Sequence, residues 1–219
     1  MTAQTPSTEL QDYLVTHQNE VLTNIIQFNE LMNRYESAIK EVSTKLEILK
    51  SDLQLHNHRN CILAIQSRIK SPVSILKKLT RRGIPVSLDN IRNELNDVAG
   101  IRVICAYIDD IYDLAESLSG QDDLRVLLVK DYIEHPKPNG YRSYHMIVEV
   151  PVFFSESKEF VRVEVQIRTV AMDFWASLEH DIKYKKEVEH AEELERELKE
   201  CADTINETDR RMMALRDRI

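Results

Sequence analysis

Residues 131–150 contain the side chains whose types and spacing are best suited to chemistry. Two prolines and an Asn-Gly pair fall in residues 135–140, and because proline fixes φ while glycine accepts positive φ, a shaped loop is predicted there. From Tyr141 onward the pattern has a period of two, so a strand would place Tyr141, Ser143 and His145 on one face. A ring, a hydroxyl and an imidazole side by side after a rigid loop are typical of a small-molecule site. A hairpin with a polar outer face fits the pattern equally well.

A positively charged segment precedes this stretch, since no Asp or Glu occurs in residues 54–87. Ser71 as N-cap, Pro72 at the first helical position and Gly83 just past the end predict a short helix over residues 73–82. The free N–H groups at its start favour anions, so a run of phosphates is the expected ligand, and a solvated basic helix is the alternative. The cations of this segment are Arg59, Arg68, Lys70, Lys77, Lys78, Arg81 and Arg82.

Two carboxylates lie on predicted strands. Asp97 heads an apolar run, residues 97–105, that predicts a buried strand whose single Arg102 must reach a partner or a site. Residues 160–169 alternate apolar and polar, which places Glu164 between arginines on the face expected to line an open cleft. Glu164 fits a structural ion pair or a functional acid. On neighbouring strands, Asp97 and Glu164 would form a pair able to hold Mg²⁺, an ion that shares its coordination with phosphate oxygens.

The remaining pattern predicts the elements that position these side chains. Residues 8–56 repeat apolar side chains at steps of three and four without Gly or Pro, which predicts a long helix that packs on another subunit or closes its own core. A helix is predicted over residues 111–118, a strand over 124–129 and a helix over 170–185. The charged tail, residues 187–219, has a narrow apolar stripe that predicts packing on the N-terminal helix or on a partner subunit.

Composition restricts the class of protein. At 219 residues, with 42% hydrophobic and 30% charged residues, the chain is ordinary for a soluble globular protein. No apolar run reaches ~18 residues and the N-terminus lacks the features of a signal peptide, so no membrane span is predicted. Three widely spaced cysteines form neither a disulfide framework nor a metal motif, which indicates the reducing cytoplasm. The net charge of −8 argues against general nucleic-acid binding.

Four motifs occur in sequence order, and together they resemble the synthetase domain of RelA/SpoT homologues. Their residues are Arg68-x-Lys70 with Ser74 and Lys78, DVAGIR at 97–102, KPNGYRSYH at 137–145, and EVQIRT at 164–169. The resemblance covers roughly residues 59–185, and the chain length is similar to that of the single-domain small alarmone synthetases. It implies an α/β fold with a nucleotidyltransferase-like mixed sheet flanked by helices. The expected division is a helical region 1–58, a synthetase domain 59–186 and a helical region 187–219.

The reaction that the resemblance implies is transfer of the β,γ-pyrophosphate of ATP to the ribose 3′-hydroxyl of GDP or GTP. The products are AMP and guanosine tetra- or pentaphosphate, and Mg²⁺ is the implied cofactor. Arg68 and Arg102 resemble the guanidinium pair that clasps the adenine between cationic faces. Lys70, Ser74 and Lys78 match residues that hold the ATP phosphates.

The same resemblance assigns the remaining residues. Asp97 matches a Mg²⁺ ligand, and Glu164 matches the carboxylate that helps to bind the metal and is the candidate for taking the proton from the 3′-hydroxyl. Tyr141 matches the ring that stacks on guanine. The other residues implied in this acceptor pocket are Lys137, Asn139 and His145, with Gln166 and Arg168 as additional candidates.

Partners and alternatives follow from the same comparison of motifs. Nothing upstream supplies a hydrolase domain, so synthesis without degradation is expected, and the family resemblance with two long helices favours a homotetramer. Residues 128–131 reproduce only the end of a charged group found in longer members, which leaves the choice between GDP and GTP open. Regulation by RNA or by (p)ppGpp is also left open. A single-stranded RNA-binding module using the same basic patch is the main alternative function, and a His180-Asp181 pair is a weaker indication of a metal-dependent phosphohydrolase.

Overall fold

A computed structural model describes residues 16–184 and 191–218 of the chain. Its strands are β1 (Ile62–Ile69), β2 (Ala99–Cys105), β3 (Arg125–Asp131), β4 (Tyr144–Phe153) and β5 (Lys158–Thr169). They form one mixed sheet in the order β1-β2-β5-β4-β3, in which only the central β2–β5 pair is parallel. The helices are α1 (Gln18–Asn57), α2 (Pro72–Arg81), α3 (Leu88–Glu94), α4 (Ile108–Ser119), α5 (Val170–Tyr184) and α6 (Ala191–Arg216). This architecture confirms the predicted mixed sheet flanked by helices.

The apolar face of the sheet is covered by α1. The predicted alternation on β5 is confirmed, because Val163, Val165 and Ile167 are fully buried while Glu164 and Gln166 on the opposite face are half-buried. The helix follows its predicted apolar pattern, although residues 8–15 lie outside the described part of the chain. The buried side chains of α1 are Leu31, Tyr35, Ala38, Ile39, Val42 and Leu46. The polar face of the central strands is therefore left free to form a site.

The predicted helix in the basic segment is present as α2. Ser71 caps it by accepting a hydrogen bond from the backbone N–H of Ser74 at 3.3 Å, and Pro72 is its first residue. Gly83 follows with a φ of 67°, a conformation that glycine adopts without a Cβ clash. β1 and the short α3 were not predicted, and the strand expected from Tyr141 begins at Tyr144 instead. Tyr141 therefore reaches the site from a loop and not from a strand.

The C-terminal helix α6 packs chiefly against α5 and α4, not along α1. Trp175 of α5 donates a hydrogen bond from Nε1 to the carbonyl of Leu198 at 2.9 Å, and both side chains are buried. At the end of β5, Thr169 Oγ1 donates to the buried Asp209 of α6 at 2.5 Å. Within the described residues, no helix combines the length and apolar composition needed to cross a bilayer.

Candidate active site

Two cavities open on the polar face of the sheet. The first, of about 240 Å³, lies over β1 and β2 and is called the Arg68 cavity. The second, of about 210 Å³, lies over β4 beside the loop after β3 and is called the Lys137 cavity. The Arg68 cavity is lined by Gln66, Ser67, Arg68, Asp97, Gly100, Ile101, Arg102, Glu164 and Gln166. The Lys137 cavity is lined by Lys78, Arg82, Glu94, Asn96, Asp97, Leu128, Lys130, Tyr132, Lys137, His145, Ile147 and Glu164.

Asp97 and Glu164 belong to both cavities, so the two carboxylates mark the place where the cavities meet. The sheet brings them together because Asp97 lies just before β2 and because Gly100 of β2 pairs with Glu164 of the parallel strand β5. A molecule in one cavity and a molecule in the other would therefore both reach these carboxylates. The two acids expected on neighbouring strands thus line the same two cavities, although Asp97 lies just before β2 and not on a strand.

The carboxylate of Asp97 is held by two lysines of the basic segment. Lys70 Nζ and Lys78 Nζ lie 2.9 and 2.7 Å from its Oδ2 atom. Burial would raise the pKa of Asp97, but the hydrogen bonds from these two lysines outweigh it and bring the pKa below the ordinary value. Asp97 is therefore ionised at neutral pH, and the two ammonium groups lie beside the junction of the cavities.

The carboxylate of Glu164 contacts an amide and an imidazole on its own face of the sheet. Gln166 Nε2 donates to its Oε2 at 2.9 Å, and His145 Nδ1 lies 3.6 Å from its Oε1. Burial would raise the pKa of Glu164, and the charge of Asp97 acts in the same direction. The contacts with His145 and Gln166 prevail and lower the pKa. An ionised Glu164 is able to accept a proton.

The wall of the Lys137 cavity is aromatic and cationic. Lys137 Nζ lies 4.7 Å from the ring centroid of Tyr132 and 4.6 Å from that of Tyr141. Burial lowers the pKa of Lys137, and the nearby charge of Lys130 adds to this effect. Tyr141 Oη and His145 Nε2 are hydrogen-bonded at 2.9 Å, so the imidazole links the ring of Tyr141 to Glu164. Two residues of the motif predicted to form a small-molecule site, Lys137 and His145, thus line this cavity.

Arg168 links Tyr141 to residues of β5 and α5 behind the cavity walls. It is buried, and its Nη2 donates to Tyr141 Oη at 2.5 Å and to Gln166 Oε1 at 3.0 Å. Its Nη1 donates to Asp173 Oδ1 at 3.2 Å, and the same carboxylate oxygen lies 3.4 Å from Arg102 Nη1. Asp173, at the start of α5, thus connects Arg102 of the Arg68 cavity with Arg168, which holds the hydroxyl of Tyr141.

The C-terminal helix supports the loop that carries Tyr141. Arg142 donates from Nη1 to the carbonyls of Gly140 and Ala202, at 3.1 and 3.3 Å, and from Nη2 to Asp203 at 3.0 Å. Asn139 shapes the loop from inside, since its Oδ1 accepts a hydrogen bond from the backbone N–H of Tyr141 at 3.2 Å. These contacts give the loop a defined position against α6.

The residues predicted from sequence fall into two groups. Of the predicted set, the Arg68 cavity contains Arg68, Arg102 and Gln166, the Lys137 cavity contains Lys78, Lys137 and His145, and Asp97 and Glu164 lie in both. Neither cavity is lined by the remaining predicted residues, which are Lys70, Ser74, Asn139, Tyr141 and Arg168. Each of them contacts a neighbouring side chain or backbone group instead. Lys70 holds Asp97, and Ser74 Oγ accepts a hydrogen bond from Ser71 Oγ at 2.9 Å. The side chains of His180 and Asp181 lie outside the described part of the structure.

The sequence did not indicate Tyr132, Lys130, Arg82 or Asp173 as site residues. Tyr132 lies between the strand β3 and the Pro-Asn-Gly loop, so an aromatic residue flanking a shaped loop was the available signal. Arg82 belongs to the acid-free basic segment and was noted only as part of its charge. Asp173 had no local signal, because its role depends on contacts with two strands.

The junction has the properties of a cation site that is completed by a ligand. Among residues 16–184 and 191–218, Asp97 Oδ1 is a buried oxygen without a hydrogen-bond partner. No group of three or more His, Cys, Asp and Glu side chains suited to a metal ion occurs in the same part of the chain. Asp97 and Glu164 therefore fit Mg²⁺, an ion that commonly takes one or two carboxylates and completes its shell with water and phosphate oxygens.

A mixed sheet with two carboxylates between two cationic cavities places the chain among nucleotide-binding enzymes, and the motifs specify the family. Residues 67–189 match the model of a region found in RelA / SpoT proteins, which is more than half of the chain. The chain therefore belongs to the RelA/SpoT family.

Relatives of similar length make the comparison more specific. The GTP pyrophosphokinase YwaC of Bacillus subtilis is 40% identical over 208 residues, which cover 95% of this chain and 99% of the relative. The GTP pyrophosphokinase YjbM of the same organism is 33% identical over 193 residues, which cover 88% of this chain and 90% of the relative.

Solved structures agree with this result. The crystal structure of small alarmone synthetase 1 from Bacillus subtilis, bound to its product pppGpp, matches with a TM-score of 0.80 and 33% identity over 88% of this chain and 98% of that chain. The structure of small alarmone synthetase 2 from the same organism matches with a TM-score of 0.76 and 42% identity, covering 86% of this chain and 98% of that chain.

Proposed function

We propose that this chain transfers the β,γ-pyrophosphate of ATP to the 3′-hydroxyl of GDP or GTP, yielding AMP and guanosine tetra- or pentaphosphate. The observation that carries the proposal is the pair of cavities that share Asp97 and Glu164. Transfer between two nucleotides needs adjacent sites and a charged group at their junction. The GTP pyrophosphokinase relatives and the synthetase bound to pppGpp support this substrate class.

ATP is assigned to the Arg68 cavity. Arg68 and Arg102 line it and would clasp the adenine, since guanidinium groups stack on aromatic faces. In the described part of the chain, the buried Nε of Arg102 has no hydrogen-bond partner, so a ligand could supply one. Lys70 and Lys78 would then contact the phosphates, since both ammonium groups already lie at the junction. Ser74, at the capped start of α2, completes this set of phosphate contacts.

The guanosine nucleotide is assigned to the Lys137 cavity. Its base would stack on the ring of Tyr141, and Lys137, His145 and Asn139 would contact or support it from the same loop and strand. In this orientation the ribose faces Glu164 and the 5′-phosphates face lysines at the cavity wall. This assignment of the two nucleotides to the two cavities requires no rearrangement of the sheet.

In the reaction, Glu164 takes the proton of the 3′-hydroxyl. The ribose oxygen bonds to the β-phosphorus, and the bond between that phosphorus and the oxygen bridging to the α-phosphate breaks, releasing AMP. Lys70 and Lys78 stabilise the charge that develops on the phosphate oxygens. A Mg²⁺ ion bound by Asp97 and Glu164 would supply further positive charge to these oxygens.

The finer assignments belong to the same proposal. Mg²⁺ is the proposed cofactor, the cytoplasm the proposed compartment and a homotetramer the proposed assembly, the last supported by apolar side chains exposed on α1. The carboxylates at the junction argue against a module that binds single-stranded RNA, because Asp97 and Glu164 would repel its phosphates.

The test is incubation of the purified chain with Mg²⁺, γ-labelled ATP and either GDP or GTP, followed by chromatography. Label is expected on guanosine tetra- or pentaphosphate, and 3′-deoxy-GTP should accept none because it lacks the attacking hydroxyl. Label that remains on ATP with both natural acceptors would contradict the proposed function.

A further inference from the structure

Asp97 lies in a short turn, residues 95–98, that belongs to neither a helix nor a strand. On the β1 side, the turn is tied by the backbone hydrogen bond from Lys70 N–H to the carbonyl of Val98 at 2.8 Å. On the β5 side, the strand ladder begins only at Gly100, which pairs with Glu164. The backbone ladder therefore does not connect the turn to β5, and another contact must set its distance from Glu164.

Arg162 provides that contact. Its Nη1 donates a hydrogen bond to the carbonyl of Asn93 at 3.0 Å and another to Asn96 Oδ1 at 3.1 Å. Arg162 is two residues before Glu164, so both side chains project from the same face of one rigid strand. A single side chain thus joins the strand of one carboxylate to the turn of the other.

Arg162 is itself held in position from β4. Glu149 lies directly opposite Arg162 in the β4–β5 ladder, is buried, and has Oε1 3.9 Å from Arg162 Nε. The planar guanidinium offers Nε to the carboxylate and Nη1 to the turn at the same time. A lysine ammonium cannot reproduce this fork, because it is a single point donor at the end of a flexible chain.

We propose that Arg162 is a positioning residue that holds the 95–98 turn against β5 and so sets the separation of the Asp97 and Glu164 carboxylates. This inference rests on the proposed function. Among the described residues, Arg162 lines neither the Arg68 cavity nor the Lys137 cavity. It lies on the other side of the turn, in a cavity of about 340 Å³ beside Arg34 and Glu159, so its effect on the reaction is indirect.

The test compares Arg162→Ala with Arg34→Ala. Arg34 lines the same cavity and pairs with Glu159 at 2.8 Å, so its removal deletes an equal charge next to β5 without touching the turn. For Arg162→Ala, kcat is expected to fall about 10- to 100-fold with the KM of the guanosine nucleotide within about twofold, since misplaced groups cost rate more than binding. Arg162→Lys should recover only part of the loss, and Arg34→Ala should match the unmodified chain.

A binding measurement separates positioning from a general loss of structure. Calorimetry would give the affinities for a non-hydrolysable ATP analogue with and without Mg²⁺. The ratio of these affinities reports how well Asp97 and Glu164 are placed to share a cation. The ratio should fall about tenfold in Arg162→Ala and stay unchanged in Arg34→Ala.

Each outcome decides one question. If Arg162→Ala matches Arg34→Ala in kcat and in the affinity ratio, the positioning role is wrong. If the unmodified chain itself transfers no label, the proposed function fails instead. If Arg162→Ala does not fold, Asn96→Ala removes one of the two accepting groups, and an affinity ratio unchanged in that variant would equally overturn the inference.

Discussion

The ring of Tyr141 is held by a buried cation and not by its backbone element. Arg168 lies with its guanidinium carbon 5.1 Å from the ring centroid and donates to the phenolic oxygen at 2.5 Å. His145 bonds the same oxygen from the next strand. The phenolic oxygen of Tyr141 is therefore held by two hydrogen bonds, and the Lys137 ammonium group lies over the ring that would stack on guanine.

We therefore expect Tyr141→Ala to raise the KM of the guanosine substrate about 10-fold or more and to leave the KM of ATP nearly unchanged. Stacking of a base on an aromatic ring is worth about 1–3 kcal/mol, and all of it is lost with the ring. Tyr141→Phe is the matched control, because it retains the face and loses only the hydroxyl contacts. Steady-state kinetics with each nucleotide varied would check this, and equal increases in both KM values would contradict the stacking role.

At the scale of elements, the loop that carries Tyr141 lies in close contact with α6. A Cβ built on Gly140 would lie 2.6 Å from the Cβ of Ala202, and the φ of Gly140 is 85°. Any side chain at this position would therefore combine backbone strain with a steric clash against the helix.

Gly140→Ala is expected to destabilise the fold by about 1–3 kcal/mol and to raise the KM of the guanosine substrate, since the loop must move away from α6. Gly83→Ala is the control, because Gly83 also has positive φ but has no atom within 4 Å of an added Cβ. Thermal unfolding and kinetics of both variants would measure the difference. Equal effects of the two substitutions would show that the clash with α6 has no role.

The end of α6 is attached to the start of α4 by an ion pair. Arg216 Nη2 lies 2.6 Å from Asp109 Oδ2, and its guanidinium carbon lies 4.7 Å from the Tyr107 ring centroid. Partial burial would raise the pKa of Asp109, but Arg216 lowers it below the ordinary value of 3.8. Because the native pKa is the lower one, this pair stabilises the fold above pH ~4 and its contribution is lost as pH falls through the native pKa.

Asp109→Asn should therefore lower the free energy of unfolding near pH 7 by about 0.5–1 kcal/mol, the range of a partly exposed pair. The difference from the unmodified chain should shrink as the pH falls below 3.8 and should disappear below the native pKa of Asp109. Asp122→Asn, on an exposed residue after α4, serves as the control. Denaturant titrations at several pH values would test this, and a pH-independent difference would rule out the ion pair as its cause.

Local patterns predicted some elements and could not predict others. The α2 helix has its own cap, proline and glycine, and the alternation on β5 is regular, so both were predicted correctly. The α3 helix has seven residues, too few for a periodic signal. β1 was missed because Arg68 near its end was interpreted through its charge, and because this edge strand shows no clean alternation of burial.

Candidate site residues in long motifs could be singled out from the sequence, and residues that act through tertiary contacts could not. The proximity of Asp97 and Glu164 could be expected because Asp97 heads one predicted strand and Glu164 lies on another, and both line the same two cavities. The link from Arg162 to Asn96 depends on the register of β5 beside a turn, and the link from Asp173 to Arg102 depends on the packing of α5. Neither relation is encoded by spacing along the chain.

At the scale of the whole molecule, α1 exposes apolar side chains near its N-terminal end. Leu22, Ile25 and Ile26 are 50–57% exposed, whereas the middle of the helix, from Leu31 to Leu46, contributes the buried side chains. Such a surface is suited to contact with another copy, and it supports the proposed homotetramer.

Replacing Leu22, Ile25 and Ile26 together by Gln should reduce the mass in solution from about four times the 25.6 kDa of one chain. Val86→Gln is a control, since Val86 is 58% exposed in a loop away from this surface. Light scattering coupled to size exclusion would measure both. A tetrameric mass that survives the triple substitution would place the interface elsewhere.

The measurement that tests the central claim most directly is a comparison of Glu164→Gln with Glu159→Gln. Both residues belong to β5, but Glu164 lies at the junction of the two cavities and Glu159 pairs with Arg34 beyond it. For Glu164→Gln, kcat should fall about 10²- to 10⁴-fold while the dissociation constants of a non-hydrolysable ATP analogue and of GDP, both measured without Mg²⁺, change less than about threefold. Glu159→Gln should leave all of these values unchanged. A Glu164→Gln variant with nearly full kcat would contradict the assignment of the reaction to this junction.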